Sequence, residues 1–317
     1  MAPLSHIVRR EDFNSSTPLK LCEVSPRDGL QSEAQTLGLE VKRQLIADLM
    51  SAGVRNIEIG SFVKSVPQLM DTDALVQSLA HHPLRAETHF SGLIFNSKGL
   101  KRALAAGVDG VCIVAIPSDS FSQRNAGISA QEGLKQALNL VDEAKANNLF
   151  VRVDLATAWV CPFEGQMRHE RVFEFASCFL NKSNVDEVAL ADTLGHAHPL
   201  QVHALFSVLG DRYGTQRLAA HFHDTQGMAL ANVVAAYSAG IRIYDSSLGG
   251  LGGCPFAPGA SGNLATEDFL LMAQKFADSG VAGIQLEALW KIISNLEKNI
   301  GRSLGGRSRQ WWHSNKK

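Results

Sequence analysis

Short apolar runs rich in β-branched residues alternate along this chain with longer stretches of helical periodicity. Eight of the runs predict buried β-strands: Leu19–Val24, Asn56–Ile59, Glu87–Phe95, Gly110–Ile116, Phe150–Ala156, Glu187–Ala191, Leu218–His223 and Ile243–Ser247. Between them, apolar side chains recur three and four positions apart, which is the spacing of one helix face. The clearest helical stretches are Leu39–Ser51, Ser129–Asn147, His169–Leu180 and Pro199–Arg212.

Regular alternation of eight strands with helices predicts a closed parallel barrel, because parallel strands need long helical crossovers. Glycine precedes several of the strands, at Gly53, Gly107 and Gly240, as expected for left-handed helix C-caps. We therefore predict an α/β fold, a (β/α)8 TIM barrel with an additional C-terminal helix.

The same pattern predicts the domain organisation. Residues 1–317 are expected to form a single domain, with the barrel at about 19–276 and a tail at 277–317. Within the tail, Ile284–Ile300 has the pattern of a helix that braces the barrel or contacts a partner chain. A doubly wound open sheet is the alternative fold, but Ser25–Gly29 after the first strand is no dinucleotide-binding fingerprint.

Composition narrows the class of protein. The 317 residues are 45% hydrophobic and 19% charged, and 30 basic and 31 acidic residues give a formal net charge of −1. No basic run suggests a nucleic-acid partner, and no apolar stretch is long enough for a transmembrane helix. The five cysteines are widely spaced without a CxxC, as expected for reduced thiols. With no targeting segment evident, we expect a cytoplasmic protein.

His221 and His223 lie at the end of the seventh predicted strand. Residues two apart on a strand project from the same face, so both imidazoles point to one side. The carboxyl ends of the strands carry the active site in TIM barrels, and histidine is the commonest metal ligand. The pair predicts a metal site, with two hydrogen-bonded barrel histidines as the alternative.

Charged side chains occupy two other strands. Arg27 and Asp28 follow the first strand and offer a fixed cation and a hard oxygen ligand, although Pro-Arg-Asp-Gly also suits a surface turn. Glu58 lies within the apolar second strand, where a carboxylate is costly unless it is paired or near a metal. A buried pair with an arginine is the alternative interpretation of Glu58.

A glycine-rich segment follows the eighth strand. Residues 249–263 contain six glycines and Cys254, which predicts a mobile loop carrying a chemically active thiol. A phosphate-cradling loop is the alternative, but the Gly-Lys-Ser/Thr ending of a P-loop is missing. Asn263 adds an amide to this region, and its plain interpretation is a helix N-cap.

Together the strand ends offer aspartate, histidine and asparagine ligands, which suit Mg²⁺ or Mn²⁺ and are compatible with Zn²⁺ or Co²⁺. A cation there would hold a chelating hydroxyl and carbonyl, while Arg27 steadies an enolate. The predicted chemistry is cleavage or formation of a carbon–carbon bond next to a carbonyl. The absence of HExxH from the sequence disfavours a zinc hydrolase.

Five segments carry a family pattern. They are Pro26-Arg27-Asp28-Gly29-Leu30-Gln31, Ile57-Glu58 with Ser61-Phe62-Val63, Asp192-Thr193, His221-x-His223-Asp224-Thr225, and the Gly-Leu-Gly-Gly-Cys-Pro loop with Ala260–Glu267. These segments resemble the 3-hydroxy-3-methylglutaryl-CoA lyase family of TIM-barrel metallolyases. The resemblance covers about residues 19–276, and the cysteine loop is specific to the lyase branch of that superfamily.

The resemblance implies a divalent-cation-dependent lyase that cleaves a 3-hydroxy-3-methylglutaryl-CoA-like thioester to acetyl-CoA and a keto acid. It implies metal ligation by Asp28, His221, His223 and Asn263. It also implies an acyl-CoA substrate as partner and, because relatives are commonly dimers, a homodimer.

The same resemblance assigns roles to other residues. Arg27 would stabilise the enolate, Cys254 and His221 would transfer protons, Glu58 would support the metal shell, and Glu267 would position the loop. The implied catalytic residues are thus Arg27, Asp28, Glu58, His221, Cys254 and Glu267. The implied substrate contacts are Arg27, Ser61, Trp159, Ala189, Asp192 and Thr193.

Departures from the family pattern lie on the acyl side. Trp159 replaces a small residue, Ala189 a serine, and Ser25 a glycine. Since the metal and loop motifs are intact, a lyase for a different 3-hydroxyacyl-CoA is one alternative. A Claisen-type condensing enzyme of the same superfamily is another, which Cys254 disfavours. A non-catalytic binding barrel is the third, and the complete ligand set disfavours it.

Overall fold

The computed structural model describes residues 17–63, 66–182, 184–253, 262–276, 281 and 283–315. Within these ranges, eight parallel strands close into a barrel in chain order. The strands are β1 Lys20–Glu23, β2 Asn56–Ser61, β3 His89–Ile94, β4 Gly110–Ala115, β5 Phe150–Leu155, β6 Glu187–Asp192, β7 Leu218–Phe222 and β8 Ile243–Ser246. The predicted TIM barrel is confirmed, and each predicted strand overlaps an observed strand.

Closure depends on pairing between the first and last strands. In register, Lys20 of β1 lies beside Ile243 of β8, and Glu23 lies beside Ser246. Helices surround the barrel. Their bounds are α1 Leu39–Ser51, α2 Thr72–Ser78, α3 Ser97–Ala106, α4 Asp119–Ala126, α5 Ala130–Ala146, α6 His169–Leu180, α7 Pro199–Tyr213, α8 Ala229–Ser238, α9 Thr266–Phe276, α10 Leu286–Ile300 and α11 Arg309–Asn315.

Local sequence explains where these elements begin and end. The side chains of Asn96 and Ser129 accept hydrogen bonds from backbone amides in the first turns of α3 and α5, and so cap both helices. Gly107 ends α3 with a φ of 85°, and Gly53 and Gly240 have φ values of 96° and 91°. The predicted left-handed turns before the strands are therefore confirmed.

The two sides of the barrel wall differ in polarity. Apolar side chains between strands and helices form one extensive core. The barrel interior is far more polar than the branched apolar filling that is usual for this fold. Buried polar and thiol side chains on the strands include Cys22, Glu58, Ser91, Cys112, Arg152, Glu187 and Asp245. The barrel interior is therefore a network of buried polar groups and not an apolar filling.

The described part of the tail packs on the barrel. Helix α10 contacts α1 and α9, and Trp290 of α10 stacks on Trp312 of α11 with ring centroids 5.6 Å apart. Asp268 at the start of α9 accepts hydrogen bonds from the backbone amides of Arg307 and Ser308. No helix in the described ranges combines the length and apolar character that a membrane span requires.

Candidate active site

The turn after β1 brings a cation and two carboxylates together. Ser25–Gly29 form one wide π-helical turn with Pro26 in its first positions. Arg27 Nη1 lies 2.6 Å from Asp28 Oδ1, and Arg27 Nε lies 2.8 Å from Glu58 Oε2 on β2. The side chains of Arg27 and Asp28 are only 12% and 13% exposed. The segment is therefore a buried part of the site and not a surface turn.

His221 and His223 project together from the end of β7, with ring centroids 5.2 Å apart. His223 Nε2 lies 3.6 Å from Asp28 Oδ2. One ligand atom from each histidine and one carboxylate oxygen of Asp28 all lie within 4.8 Å of one another. Two segments distant in sequence thus converge on a space that one cation can fill.

Asn263 completes this arrangement. It forms an antiparallel bridge with His223, and its Nδ2 donates to Asp28 Oδ2 at 2.8 Å and to the Leu251 carbonyl at 3.0 Å. Asn263 Oδ1 and His223 Nδ1 are buried without a hydrogen-bond partner in the described part of the chain. Buried lone pairs left unsatisfied are costly, so the residues present fit a divalent cation.

Burial and neighbouring charges shift the pKa values of these groups toward the protonation states that metal ligation requires. Burial opposes the charge of Asp28, but Arg27 and both histidines outweigh it and hold the pKa of that carboxyl well below its usual range. Burial lowers the pKa of His223 to about 4, which keeps its imidazole neutral and able to donate a lone pair. Burial also raises the pKa of Glu58 to about 7, against the charge of Arg27.

Asp245 of β8 orients the other histidine. His221 Nδ1 lies 2.9 Å from Asp245 Oδ2, which leaves Nε2 as the ring nitrogen available to the site. Burial lowers the pKa of His221, but the hydrogen bond and charge of Asp245 outweigh it and raise the pKa overall. A carboxylate behind a ligating histidine is the usual means of fixing its tautomer.

Negative charge exceeds positive charge across the site and the described barrel interior. Five carboxylates share this volume with three cations, and several of them form direct ion pairs. The carboxylates are Asp28, Glu58, Asp154, Glu187 and Asp245, and the cations are Lys20, Arg27 and Arg152. With every carboxylate ionised the excess is two negative charges, which a divalent cation balances.

A cavity opens over this site at the carboxyl ends of the strands. It encloses about 860 Å³, including solvent at its mouth, and Arg27, Asp28, Thr193, His221 and His223 line it. A wall of apolar side chains faces these groups, formed by Leu93, Phe95, Val114 and Phe121.

Other predicted site residues support the cavity from outside. Ser61 is buried at the end of β2, where its hydroxyl accepts a hydrogen bond from the Val63 amide at 3.2 Å. Asp192 ends β6, and its carboxylate accepts hydrogen bonds from the backbone amides of His196 and Ala197, each at 3.0 Å. Neither residue lines the cavity. Asp192 holds the turn that carries the lining residue Thr193, whereas the turn of Ser61 and Val63 contributes no lining residue.

The structure does not bring Trp159 or Ala189 to the cavity. Trp159 is fully buried, with its ring 5.9 Å from that of Phe206 on α7 and 5.8 Å from that of Phe222. It therefore fills the layer between barrel and helices. Ala189 lies with Ala219 and Ile243 in a small apolar cluster of buried residues. Only Ala191, two residues further along β6, lines the cavity.

Cys254, and with it the predicted thiol chemistry, lies outside the described residues. The two ends of its loop are described and lie against each other, because a Cβ on Gly262 would fall 2.0 Å from the Gly250 carbonyl oxygen. Glu267 accepts a hydrogen bond from the Gly249 amide at 2.9 Å, beside the first of these ends. Burial raises the pKa of the Glu267 carboxyl to about 8.

Glu23 joins the segments that carry the site. Its carboxylate accepts hydrogen bonds from the Ser25 amide at 3.0 Å, the Leu248 amide at 3.2 Å and the Thr266 hydroxyl at 2.6 Å, and from the Ser25 hydroxyl. These partners belong to the Arg27–Asp28 turn, the glycine-rich loop and the start of α9. Ser25, which departs from the family pattern, thus adds a hydroxyl to this node.

Sequence reasoning missed Arg152, Asp154 and Asp245. Arg152 Nη2 lies 2.6 Å from Asp245 Oδ2, and Arg152 Nε lies 2.7 Å from Asp154 Oδ1. A signal was present, since charged residues two apart within the apolar strand β5 must point into the barrel together.

The fold and the site define a TIM-barrel protein with a group of residues that could hold a metal ion at the carboxyl ends of its strands. The HMGL-like family model matches residues 18–295, so this chain belongs to the HMGL-like family. A hydroxymethylglutaryl-CoA lyase of Bacillus subtilis is 35% identical over 294 residues, which is 92% of this chain and 96% of that protein. The family resemblance predicted from the motifs is thereby confirmed.

Two further relatives show the range of the family. The (R)-citramalyl-CoA lyase of Chloroflexus aurantiacus is 37% identical over 294 residues, covering 90% of this chain and 92% of that protein. An HMG-CoA lyase from Acinetobacter baumannii, whose structure is known in complex with coenzyme A and 3-methylmalate, is 34% identical in sequence to this chain. It superposes with a TM-score of 0.85 over 92% of this chain and 94% of that chain.

Proposed function

We propose that this protein is a divalent-cation-dependent carbon–carbon lyase. Its substrate is 3-hydroxy-3-methylglutaryl-CoA or a close 3-hydroxyacyl-CoA, and its products are acetyl-CoA and a keto acid, which is acetoacetate for the first substrate. One observation carries the proposal: the buried, unpartnered Asn263 Oδ1 and His223 Nδ1 beside the Asp28 carboxylate, in a cavity that Arg27 also lines.

The ligands of the cation in this proposal are Asp28, His221, His223 and Asn263. A bound cation supplies Lewis-acid polarisation of the hydroxyl and carbonyl oxygens of the substrate. Mg²⁺ or Mn²⁺ is the expected ion, because oxygen donors and neutral imidazole suit both ions.

The residues of the chain then move the proton and hold the charge. Because Nδ1 of His221 is held by Asp245, its Nε2 serves either as the cation ligand or as the acceptor of the proton of the tertiary hydroxyl, and not as both at once. When the hydroxyl proton has gone to His221 Nε2, the bond between carbons 2 and 3 breaks, and its electron pair becomes the acetyl-CoA enolate. Arg27, fixed by Asp28 and Glu58, stabilises the enolate oxygen. Cys254 delivers a proton to carbon 2. Acid–base help of this kind contributes about 10²–10⁴ in rate.

The remaining site residues act on the substrate or on the loop. Thr193 contacts the substrate from the cavity wall, while Asp192 holds the turn that carries Thr193 and Ser61 fixes the turn at the end of β2. Trp159 acts indirectly through packing behind the wall, and Ala189 through packing in the barrel interior below the cavity. Glu267 positions the glycine-rich loop through its bond to Gly249.

Two features of the relatives support an acyl-CoA substrate without fixing its acyl end. The Acinetobacter lyase holds coenzyme A and 3-methylmalate, and the Chloroflexus relative is named for citramalyl-CoA.

We further propose a homodimer, for which Trp311 on α11, 53% exposed, offers apolar contact surface. The four described cysteines form no disulfide, in keeping with the proposed cytoplasmic location.

The test is an assay of acetyl-CoA release from 3-hydroxy-3-methylglutaryl-CoA by the purified protein. Release should require Mg²⁺ or Mn²⁺, stop on chelation, and fall at least a hundredfold in His221→Ala and Cys254→Ala. His203→Ala on α7, remote from the cavity, is the matched control and should retain activity. Failure of the metal-loaded protein to cleave this thioester or a panel of 3-hydroxyacyl-CoAs would refute the proposal.

A further inference from the structure

Asp154 forms part of the cavity floor. It lies on β5, level with Val114 of β4 and Ala189 of β6 in the barrel register. Its side chain is 16% exposed, and that exposure is to the cavity, which Asp154 lines together with Arg27 and His221. A carboxylate therefore faces the cavity in which the proposed substrate would bind, beside Arg27 and His221.

One oxygen of this carboxylate is occupied and the other is available. Asp154 Oδ1 accepts a hydrogen bond from Arg152 Nε at 2.7 Å, while Arg152 also lies 2.6 Å from Asp245 and 3.6 Å from Glu187. The described part of the chain contains no other hydrogen-bond partner for Asp154. Its second oxygen must then accept from water or from the molecule that fills the cavity.

The surroundings exclude two kinds of occupant. A second carboxylate would meet Asp154 and also Glu58, because these groups and the Cys112 thiol have ligand atoms within 4.8 Å of one another. An ammonium group would meet two guanidinium groups, that of Arg27, which lines the same floor, and that of Arg152, which lies 2.7 Å from Asp154. Like charges brought together at low solvent exposure cost more than they do at a surface.

A purely apolar branch fits the floor poorly as well. It would displace water from the second oxygen of Asp154 and leave a buried acceptor unsatisfied. Apolar surface is provided elsewhere, on the wall that includes Phe95 and Phe121, and Phe95 is 47% exposed at the mouth. A neutral hydrogen-bond donor is the group that suits the floor, and a hydroxyl is the smallest that fits.

We propose that Asp154 is a specificity-determining residue that accepts a hydrogen bond from a hydroxyl group on the carbon-3 branch of the substrate. The preferred substrate would be a 3-hydroxyacyl-CoA whose carbon-3 methyl is replaced by hydroxymethyl. The inference deepens the proposed lyase function and rests on it.

The experiment compares two thioesters, 3-hydroxy-3-methylglutaryl-CoA and its 3-hydroxymethyl counterpart, in the Mg²⁺-loaded protein. The wild-type kcat/KM should be about tenfold higher for the hydroxymethyl substrate, as expected for a hydrogen bond to a charged acceptor. Asp154→Leu should bring the ratio to one or below, and Asp154→Asn, which keeps an acceptor oxygen, should retain part of the preference. Glu187→Gln is the matched control, because it removes another Arg152 partner away from the cavity and should keep the wild-type ratio.

A second measurement separates this inference from the lyase proposal. Calorimetry on the two free acids, 3-hydroxy-3-methylglutarate and its hydroxymethyl counterpart, gives the same discrimination as a ratio of Kd values without turnover. If neither thioester is cleaved, the lyase proposal fails, and the Kd ratio in wild type and Asp154→Leu still decides the role of Asp154. Equal ratios in wild type and Asp154→Leu, or a preference for methyl in wild type, overturn the inference.

Discussion

His221 Nδ1 and Asp245 Oδ2 lie 2.9 Å apart inside the barrel, and the same carboxylate oxygen lies 2.6 Å from Arg152. The pair connects the proposed cation ligand to the charged network below it. Asp245→Asn should weaken Mn²⁺ binding about 10–100-fold, because the ring loses the partner that fixes its tautomer. Isothermal titration of the metal-free protein with Mn²⁺ measures the change.

The control for this substitution is Asp211→Asn, which alters an exposed carboxylate on α7. Its Mn²⁺ affinity should match that of wild type. Wild-type affinity in Asp245→Asn would mean that His221 does not depend on Asp245 for its orientation.

Asn263→Ala should remove a proposed cation ligand and a hydrogen bond to Asp28 together. A cation at one hundred times its Kd stabilises a folded protein by about 2.7 kcal/mol, so saturating Mg²⁺ should raise the wild-type Tm by several degrees. The rise should largely disappear in the variant. Asn299→Ala, at an exposed position on α10, should keep the full rise in differential scanning fluorimetry.

Arg152→Met should destabilise the protein strongly. The change removes the guanidinium partner of Asp154 and Asp245 and leaves Glu187 with Lys20 alone, and losing one partner of a buried pair costs about 3–5 kcal/mol. Lys182→Met is the comparison, since Lys182 pairs with Asp142 at the surface and its loss should cost less than about 1 kcal/mol. Urea denaturation midpoints rank the two variants, and similar midpoints would contradict the importance of the buried network.

Stability should depend on pH through Glu267. Burial raises its pKa from 4.5 to about 8, so the folded protein holds a proton that the unfolded chain has released between those values. The free energy of unfolding therefore falls as pH rises through this window. Glu267→Gln, which cannot ionise, should melt several degrees above wild type at pH 8.5 and converge with it near pH 4.

Thermal melts across this pH range provide the measurement, with the exposed Glu170→Gln as control. The control should follow the wild-type curve at every pH. A Glu267→Gln curve parallel to wild type would show that the buried carboxyl is not the source of the pH dependence.

Much of the fold follows from periodicity. The strand β5 was predicted because Val151, Val153 and Leu155 alternate with other residues in an apolar run, and these three side chains are fully buried. Arg152 and Asp154 occupy the alternate positions of the same strand, and Arg152 has ion-pair partners on other strands. The spacing of Arg152 and Asp154 indicates that they share a face, but long-range ion pairs leave no spacing in the sequence, so the partners of Arg152 on other strands could not be predicted from it.

The candidate site divides in the same way. Asp28, His221 and His223 were predicted because strand ends meet at one face of a barrel, and they do meet there. Trp159 was assigned to the pocket from a motif alone, yet its side chain points to the helices. A residue that is close in sequence to one lining the cavity can still point to the other side of the barrel wall.

The hydrogen bonds of Glu23 connect segments that are far apart in the chain, so the order of folding affects when the site can form. The Glu23 hydrogen bond to Leu248 spans 225 positions, and its bond to Thr266 spans 243. The turn bearing Arg27 and Asp28 thus gains its support only after the last strand and the start of α9 have been synthesised. During translation, a nascent chain ending before residue 262 lacks Asn263 and the Thr266 contact. The proposed metal site can therefore form only late in synthesis, after the two ends of the barrel have come together.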